Sequence, residues 1–195
     1  MAKLKFFHSC MFGGKTAQLI NAYEIYKRKG MCPVIIKPCI DNRDGDQKGW
    51  GVTKSRLMPN KEVPAYYFES VKEEVWKLDY GAILIDEAQF LTEDDVKFLS
   101  LIVDKQKINV IAYGLKNDSN GHLFEGSKAL LAYADEVVEL ESLCQNPHCE
   151  NKASMHLRYI NGKLDTSNDS VVVEKDEVTY KSVCRPCWRA ERNER

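Results

Sequence analysis

Near the amino terminus a short apolar run, Leu4 to Phe7, breaks through His8-Ser9-Cys10-Met11-Phe12 into Gly13-Gly14 and continues at Lys15-Thr16 as a helical pattern. A strand that turns on two glycines into a helix beginning with Lys-Thr leaves few folds open. It is the layout of a P-loop, in which backbone N–H groups and a helix N-terminus wrap a phosphate chain. In that layout the lysine reaches the β- and γ-phosphates and the following hydroxyl holds Mg²⁺. Ser9 to Thr16 are therefore the candidate phosphate contacts, with Ser9 standing where G-x-x-x-x-G-K-[ST] has its first glycine.

Strands and helices alternate from there. Leu19, Ile20, Tyr23 and Tyr26 share one face of a helix from Thr16 to Lys29 that stops at Gly30. Val34 to Ile36 reads as a second strand, and Lys37 to Gly45 lies at its carboxyl end, where open α/β sheets place ligands. Gly45 to Pro64 is polar, broken by Gly and Pro, and reads as a long loop with one weak edge element. Ala65 to Phe68 is a third strand, and Ser70-Val71-Lys72-Glu73 has capping-box spacing for a short helix through Leu78.

Gly81 to Ile85 is apolar and ends in Asp86-Glu87, so two carboxylates emerge from a buried strand end, expected beside the P-loop strand. Such a pair suits the metal-bound water near Thr16 (Asp86) and the γ-phosphate (Glu87), although an acidic pair can also merely cap the next helix. Thr92 is the better cap, before a helix whose buried stripe is Val96, Leu99 and Val103. Asn109 to Tyr113 and Val137 to Leu140 are further strands, with a helix over Ser127 to Ala134 between them. The pattern predicts an α/β fold: a RecA-like parallel sheet with helices on both faces, spanning residues 1–141.

From residue 142 to 195 the character changes to short β runs, an Asn161-Gly162 hairpin signal, and no helix until the charged tail after Cys187. Cys144/Cys149 and Cys184/Cys187 form two close pairs, with His148 as an alternative ligand. Two such pairs in a small β domain with little apolar core point to a closed, structural Zn²⁺ site, against the alternative of two metal-free thiol pairs. The chain has seven cysteines, an odd number, and no signal-peptide pattern or bilayer-length apolar run, so a reducing, cytoplasmic setting is expected. Lys+Arg (28) nearly balances Asp+Glu (29), which does not advertise nucleic acid as a partner. Arg43 and Asp41 are placed either to meet phosphates or to form a surface ion pair; Phe90, Phe124 and Tyr180 either stack on a flat ligand or fill core.

Met11-Phe12-Gly13-Gly14-Lys15-Thr16, Asp41-Asn42-Arg43, Asp86-Glu87-Ala88-Gln89-Phe90, Tyr180 with Ser182-Val183-Cys184-Arg185-x-Cys187, and the two cysteine pairs stand in one order across nearly the whole chain. Together they resemble the type II thymidine kinases. The resemblance implies transfer of the γ-phosphoryl of ATP to the 5′-hydroxyl of thymidine, and of deoxyuridine. Glu87 falls on the family's catalytic base, Asp86 and Thr16 on its Mg²⁺ site, Lys15 and Arg43 on phosphate contacts. Met11, Gln89, Phe90, Leu115, Phe124, His156 and Tyr180 match the nucleoside pocket. A lasso between about Asn161 and Tyr180 would bring Val171, Val172 and Val173 near sugar and base. A homotetramer and feedback inhibition by dTTP are further implications. Departures are Ser9 in the loop, Glu174-Lys175-Asp176 in the lasso, His156 where a small hydroxyl residue is usual, and the wide first cysteine pair. The residues alone also leave open a P-loop ATPase and a zinc-ribbon nucleic-acid module.

Overall fold

The computed structural model describes residues 1–38, 50–72, 80–167 and 178–193. Seven strands form the main sheet: β1 (Leu4–Ser9), β2 (Pro33–Lys37), β3 (Trp50–Ser55), β4 (Met58–Tyr67), β5 (Ala82–Ile85), β6 (Asn109–Leu115) and β7 (Glu136–Glu139). Their order is β3-β4-β2-β5-β6-β1-β7, and every neighbouring pair is parallel except the edge hairpin β3–β4.

Helices cover both faces. On one, α1 (Lys15–Arg28) packs Leu19 and Ile20 against Ile35, Leu84, Ile111 and Tyr113. On the other, α3 (Glu93–Gln106) and α4 (Glu125–Tyr133) pack Val96, Leu99, Ile102 and Leu130 against Phe6, Ile36, Ile83, Ile85 and Val110. Double coverage explains why β5 is apolar at every position and buried throughout. Each fully buried Leu or Ile contributes roughly 1.5–3 kcal/mol. At the start of α3, Thr92 and Asp95 form the reciprocal capping box.

Four expectations are corrected. β5 is not beside the P-loop strand, because β6 lies between β5 and β1; a buried run reports that its faces are covered, not which strand is its neighbour. Residues 50–64 are not loop but most of the hairpin β3–β4, whose strand β4 carries Pro59 and Pro64 on the sheet edge, where a missing N–H is tolerated. The helix expected to open at Ser70 instead begins at Phe68 as α2 (Phe68–Val71), with no side-chain cap; the rest of the expected helix, from residue 73 on, lies outside the described residues. The carboxyl-terminal helix α5 (Arg185–Glu191) starts before Cys187, with Pro186 in its first turn.

A second, antiparallel sheet holds β8 (Met155–Ile160), β9 (Lys163–Leu164) and β10 (Val178–Val183) in the order β10-β8-β9. Asn161 and Gly162, both with positive φ (50° and 75°), make the two-residue β8–β9 turn. Leu157, Val183 and Trp188 form its core together with the four paired cysteines. Among the described residues no helix is long and apolar enough to cross a membrane.

Candidate active site

β1 ends by burying Ser9 and Cys10, after which the chain turns back on itself. The Cys10 carbonyl accepts the Gly13 N–H at 3.3 Å and the Lys15 Nζ at 2.9 Å, and Lys15 Nζ also donates to Ser9 Oγ at 3.2 Å. Gly14 adopts φ 78°, a conformation glycine takes without strain. A Cβ on Gly13 would lie 2.3 Å from Ser9 Oγ. The serine hydroxyl thus uses the room a side chain at 13 would need, and the exchange of the first glycine for Ser9 leaves Gly13 obligatory. Burial lowers the pKa of Lys15 against the opposing pull of Glu87 and Asp86. Burial pushes the Cys10 thiol up to about 11, so it remains a protonated filler.

Across β6 stands the acidic strand end. The Asp86 N–H donates to the Ile36 carbonyl at 2.9 Å, extending the sheet one residue beyond β5. Thr16 Oγ1 then donates to Asp86 Oδ1 at 3.4 Å, joining the start of α1 to that end. Glu87 is half-buried in a left-handed backbone conformation, φ 50°. Gln89 Nε2 donates to Glu87 Oε2 at 2.6 Å while Gln89 Oε1 accepts the Leu115 N–H at 3.0 Å. Gln89 therefore clamps Glu87 to β6. The approach needs Gly114, since a Cβ there would sit 2.9 Å from both the Gln89 nitrogen and Oε1.

A cleft of about 540 Å³ runs along Met11 to Thr16, Lys37, Asp86, Glu87 and Leu115, closed by the tip of the β3–β4 hairpin. There the Arg56 guanidinium lies 5.0 Å from the Phe12 ring centroid. Lys37 opens the stretch expected from sequence to lie where ligands bind but was given no role of its own, and the hairpin tip was not expected there. Thr16 and Asp86 present two oxygens on one side of this cleft, a hard donor pair of the kind Mg²⁺ takes alongside water and phosphate.

The expected nucleoside residues meet in separate contacts. Phe90 and Phe124 pack edge to face with centroids 5.8 Å apart, and His156 and Tyr180 do so at 6.0 Å. Met11 and Leu115 line the cleft itself. Burial, with Lys15 adding to it, depresses His156 to about 4, so its ring is neutral at ordinary pH. Ser182 Oγ donates to the Met11 carbonyl at 2.5 Å and so fastens the small sheet to the P-loop. Asp41, Arg43 and Val171 to Val173 lie outside the described residues, as does the middle of the lasso segment, 168–177.

The sulfurs of Cys144, Cys149, Cys184 and Cys187 lie within 4.8 Å of one another. Cys149 Sγ is 3.7 Å from Cys184 Sγ and 3.8 Å from Cys187 Sγ. Four thiolates at Zn–S of about 2.3 Å in a tetrahedron stand roughly 3.8 Å apart, so this donor set fits Zn²⁺. The separations are too long for disulfides. His148, the alternative ligand, is exposed and outside the cluster.

The family model described as "Thymidine kinase" matches residues 2–188. A thymidine kinase of enterobacteria phage T4 is 38% identical over 193 residues, covering 96% of each chain. One from Aliivibrio fischeri is 39% identical over 193 residues, covering 95% of each chain. One from Legionella pneumophila is 36% identical over 192 residues, covering 95% of this chain and 88% of its own. A solved structure of Bacteroides Pif1 bound to ssDNA covers 71% of this chain and 38% of its own at 14% identity, with a TM-score of 0.34, too distant to carry an argument.

Proposed function

The chain belongs to the thymidine kinase family, and we propose that the cleft between its P-loop and Asp86-Glu87 is where the γ-phosphoryl of ATP passes to the 5′-hydroxyl of thymidine. The enzyme is an ATP-dependent kinase acting on thymidine. The observation that carries the site assignment is the Thr16–Asp86 contact at 3.4 Å, which brings the loop and the acidic strand end together across an intervening strand.

Phosphoryl transfer asks for positioning and charge neutralisation more than for covalent work. The loop amides from Met11 to Gly14 and the Lys15 ammonium hold the β- and γ-phosphates. Thr16 and Asp86 are the groups that would hold Mg²⁺, which when bound with ATP neutralises charge on the β- and γ-oxygens. Glu87, oriented by Gln89, accepts the proton of the 5′-hydroxyl as its oxygen bonds to the γ-phosphorus. The bond from that phosphorus to the β,γ-bridging oxygen breaks, and ADP leaves. Arg43 and Asp41 are assigned to the phosphates, and Met11, Gln89, Phe90, Leu115, Phe124, His156, Val171, Val172, Val173 and Tyr180 to the nucleoside.

Residues 142–195 act as a zinc-stabilised lobe over the nucleoside, against a nucleotide domain of residues 1–141, with Cys144, Cys149, Cys184 and Cys187 as ligands. Deoxyuridine as a second acceptor, feedback by dTTP and a homotetramer rest on the family resemblance of the motifs, and a cytoplasmic setting on the cysteine pattern. ADP formation from Mg·ATP, followed with and without thymidine, tests the function. ADP and dTMP should appear together and only with the nucleoside; equal ADP release without thymidine would leave an ATPase instead.

A further inference from the structure

Lys37 is 2% exposed, among the most completely buried large side chains of the protein. Lysine is seldom fully buried without negative charge near it, because desolvating an ammonium is expensive. Its place in the sheet identifies that charge. In β2, Val34 and Ile36 belong to the core under α3, whereas Ile35 belongs to the core under α1. In β5, Ile83 and Ile85 face α3 and Leu84 faces α1. Strand alternation continues both rows, so Lys37 and Asp86 project to the α1 side, where the P-loop lies. They stand level on adjacent strands, since Ile36 pairs with Ile85 and accepts the Asp86 N–H. Both line the cleft that Lys15, Thr16 and Glu87 share.

We propose that Lys37 is a further phosphate-directed cation of the transfer site, beside those already assigned, set next to Asp86 to neutralise charge on the γ-phosphoryl group in transit. The inference rests on the reading of this cleft as the site of transfer. Among the described residues two carboxylates, Asp86 and Glu87, face the cleft, and of its cations away from the hairpin Lys15 by itself does not balance them before the triphosphate adds its own charge. Lys54 and Arg56, on the same cleft, are exposed on the hairpin, where water screens them. A buried ammonium held by a strand needs no reorganisation as charge moves and acts in a lower dielectric.

The test compares Lys37→Met, close in volume and uncharged, with Lys15→Met and the full-length wild type, all zinc-loaded. Lys37→Met should lower kcat on the order of 10²–10³-fold, while affinities for thymidine and for ADP, which lacks the γ-phosphate, move less than about threefold. Lys37→Arg should recover part of the lost turnover. Lys37→Gln reads the same effect if the methionine variant fails to fold. Wild-type kcat in the uncharged variants would overturn the proposal. So would loss of thymidine and ADP binding in step with kcat, or failure of both uncharged variants to fold, because Lys37 would then be structural. Normal turnover in Lys15→Met would instead remove the cleft assignment itself.

Discussion

Glu87 does two things no neighbouring residue does: it leaves the strand in a left-handed conformation, and it hands its carboxylate to Gln89. A non-glycine residue held there carries strain on the order of 1 kcal/mol or more, which the surrounding contacts must offset. If Glu87 is the base proposed above, the clamp would aim its carboxylate as a proton acceptor, and a carboxamide of the same shape keeps the clamp while losing the basicity. Glu87→Gln should therefore lower kcat by roughly 10²–10⁴ and leave thymidine affinity within about twofold, checked by steady-state kinetics and calorimetry. Near-normal kcat would remove the base assignment. His156 offers a separate measurement. Its folded value of about 4 lies below the ordinary 6.5, so the unfolded chain binds more protons between those values. The associated stability is fully present above pH 6.5 and is lost as pH falls through 4, on the order of 3 kcal/mol in all. Unfolding free energies from denaturant titration at pH 7 and pH 4.5 should thus fall more steeply for wild type than for His156→Asn, and equal slopes would refute the assignment.

Elements with local signals were legible in the sequence, and those whose position is set by distant partners were not. α3 announces itself: Thr92 and Asp95 close a capping box, and Val96, Leu99 and Val103 recur at helical spacing. Thr92→Ala should cost about 1 kcal/mol of stability with little change in kcat, measured as a lowered denaturation midpoint. An unchanged midpoint would mean that Lys72, bonded to Asp95 at 2.6 Å, fixes the helix start instead. β1, α1 and β5 were equally readable, since a glycine turn and an unbroken buried run depend on few neighbours. The β3–β4 hairpin was not, because its alternation is blurred by Lys54, Asn60 and Lys61 and broken by Pro59 and Pro64. The insertion of β6 between β5 and β1 leaves no local trace at all; only Gly114, needed for the approach of Gln89, marks it in retrospect. That is also why Glu87, Asp86, Lys15 and Thr16 could be given roles from spacing, while Lys37 was placed only at a ligand-bearing strand end and the hairpin tip not at all. The first group sits in motifs, and the second enters the cleft only through strand order and the path of the hairpin.

At the scale of the whole molecule the question is what the small sheet does for a reaction carried by the large one. Its apolar core is thin, with Leu157, Val183 and Trp188 as the buried apolar side chains clustered beside the four cysteines, and a core of that size rarely holds a fold unaided. Among the contacts that tie it to the nucleotide side, two lie next to the cysteines. Ser182 Oγ donates to the Met11 carbonyl at 2.5 Å, and Trp188 Nε1 donates to the Ser119 carbonyl at 3.0 Å. Ser182 and Trp188 lie within two residues of Cys184 and Cys187, so a metal held by the cluster would join the indole and the loop bond in one mechanical unit. Chelation of the metal at neutral pH should therefore release about one Zn²⁺ per chain, expose Trp188 with a red shift of its fluorescence, and abolish thymidine phosphorylation. The large sheet, whose core is independent of the cysteines, should keep its far-UV signal and its affinity for ADP. Re-addition of Zn²⁺ should restore both fluorescence and turnover. Full activity in the zinc-free protein would show that the small sheet holds its place by packing alone. Loss of ADP binding together with thymidine phosphorylation would show that the P-loop depends on the metal-held lobe far more than the Ser182–Met11 link suggests.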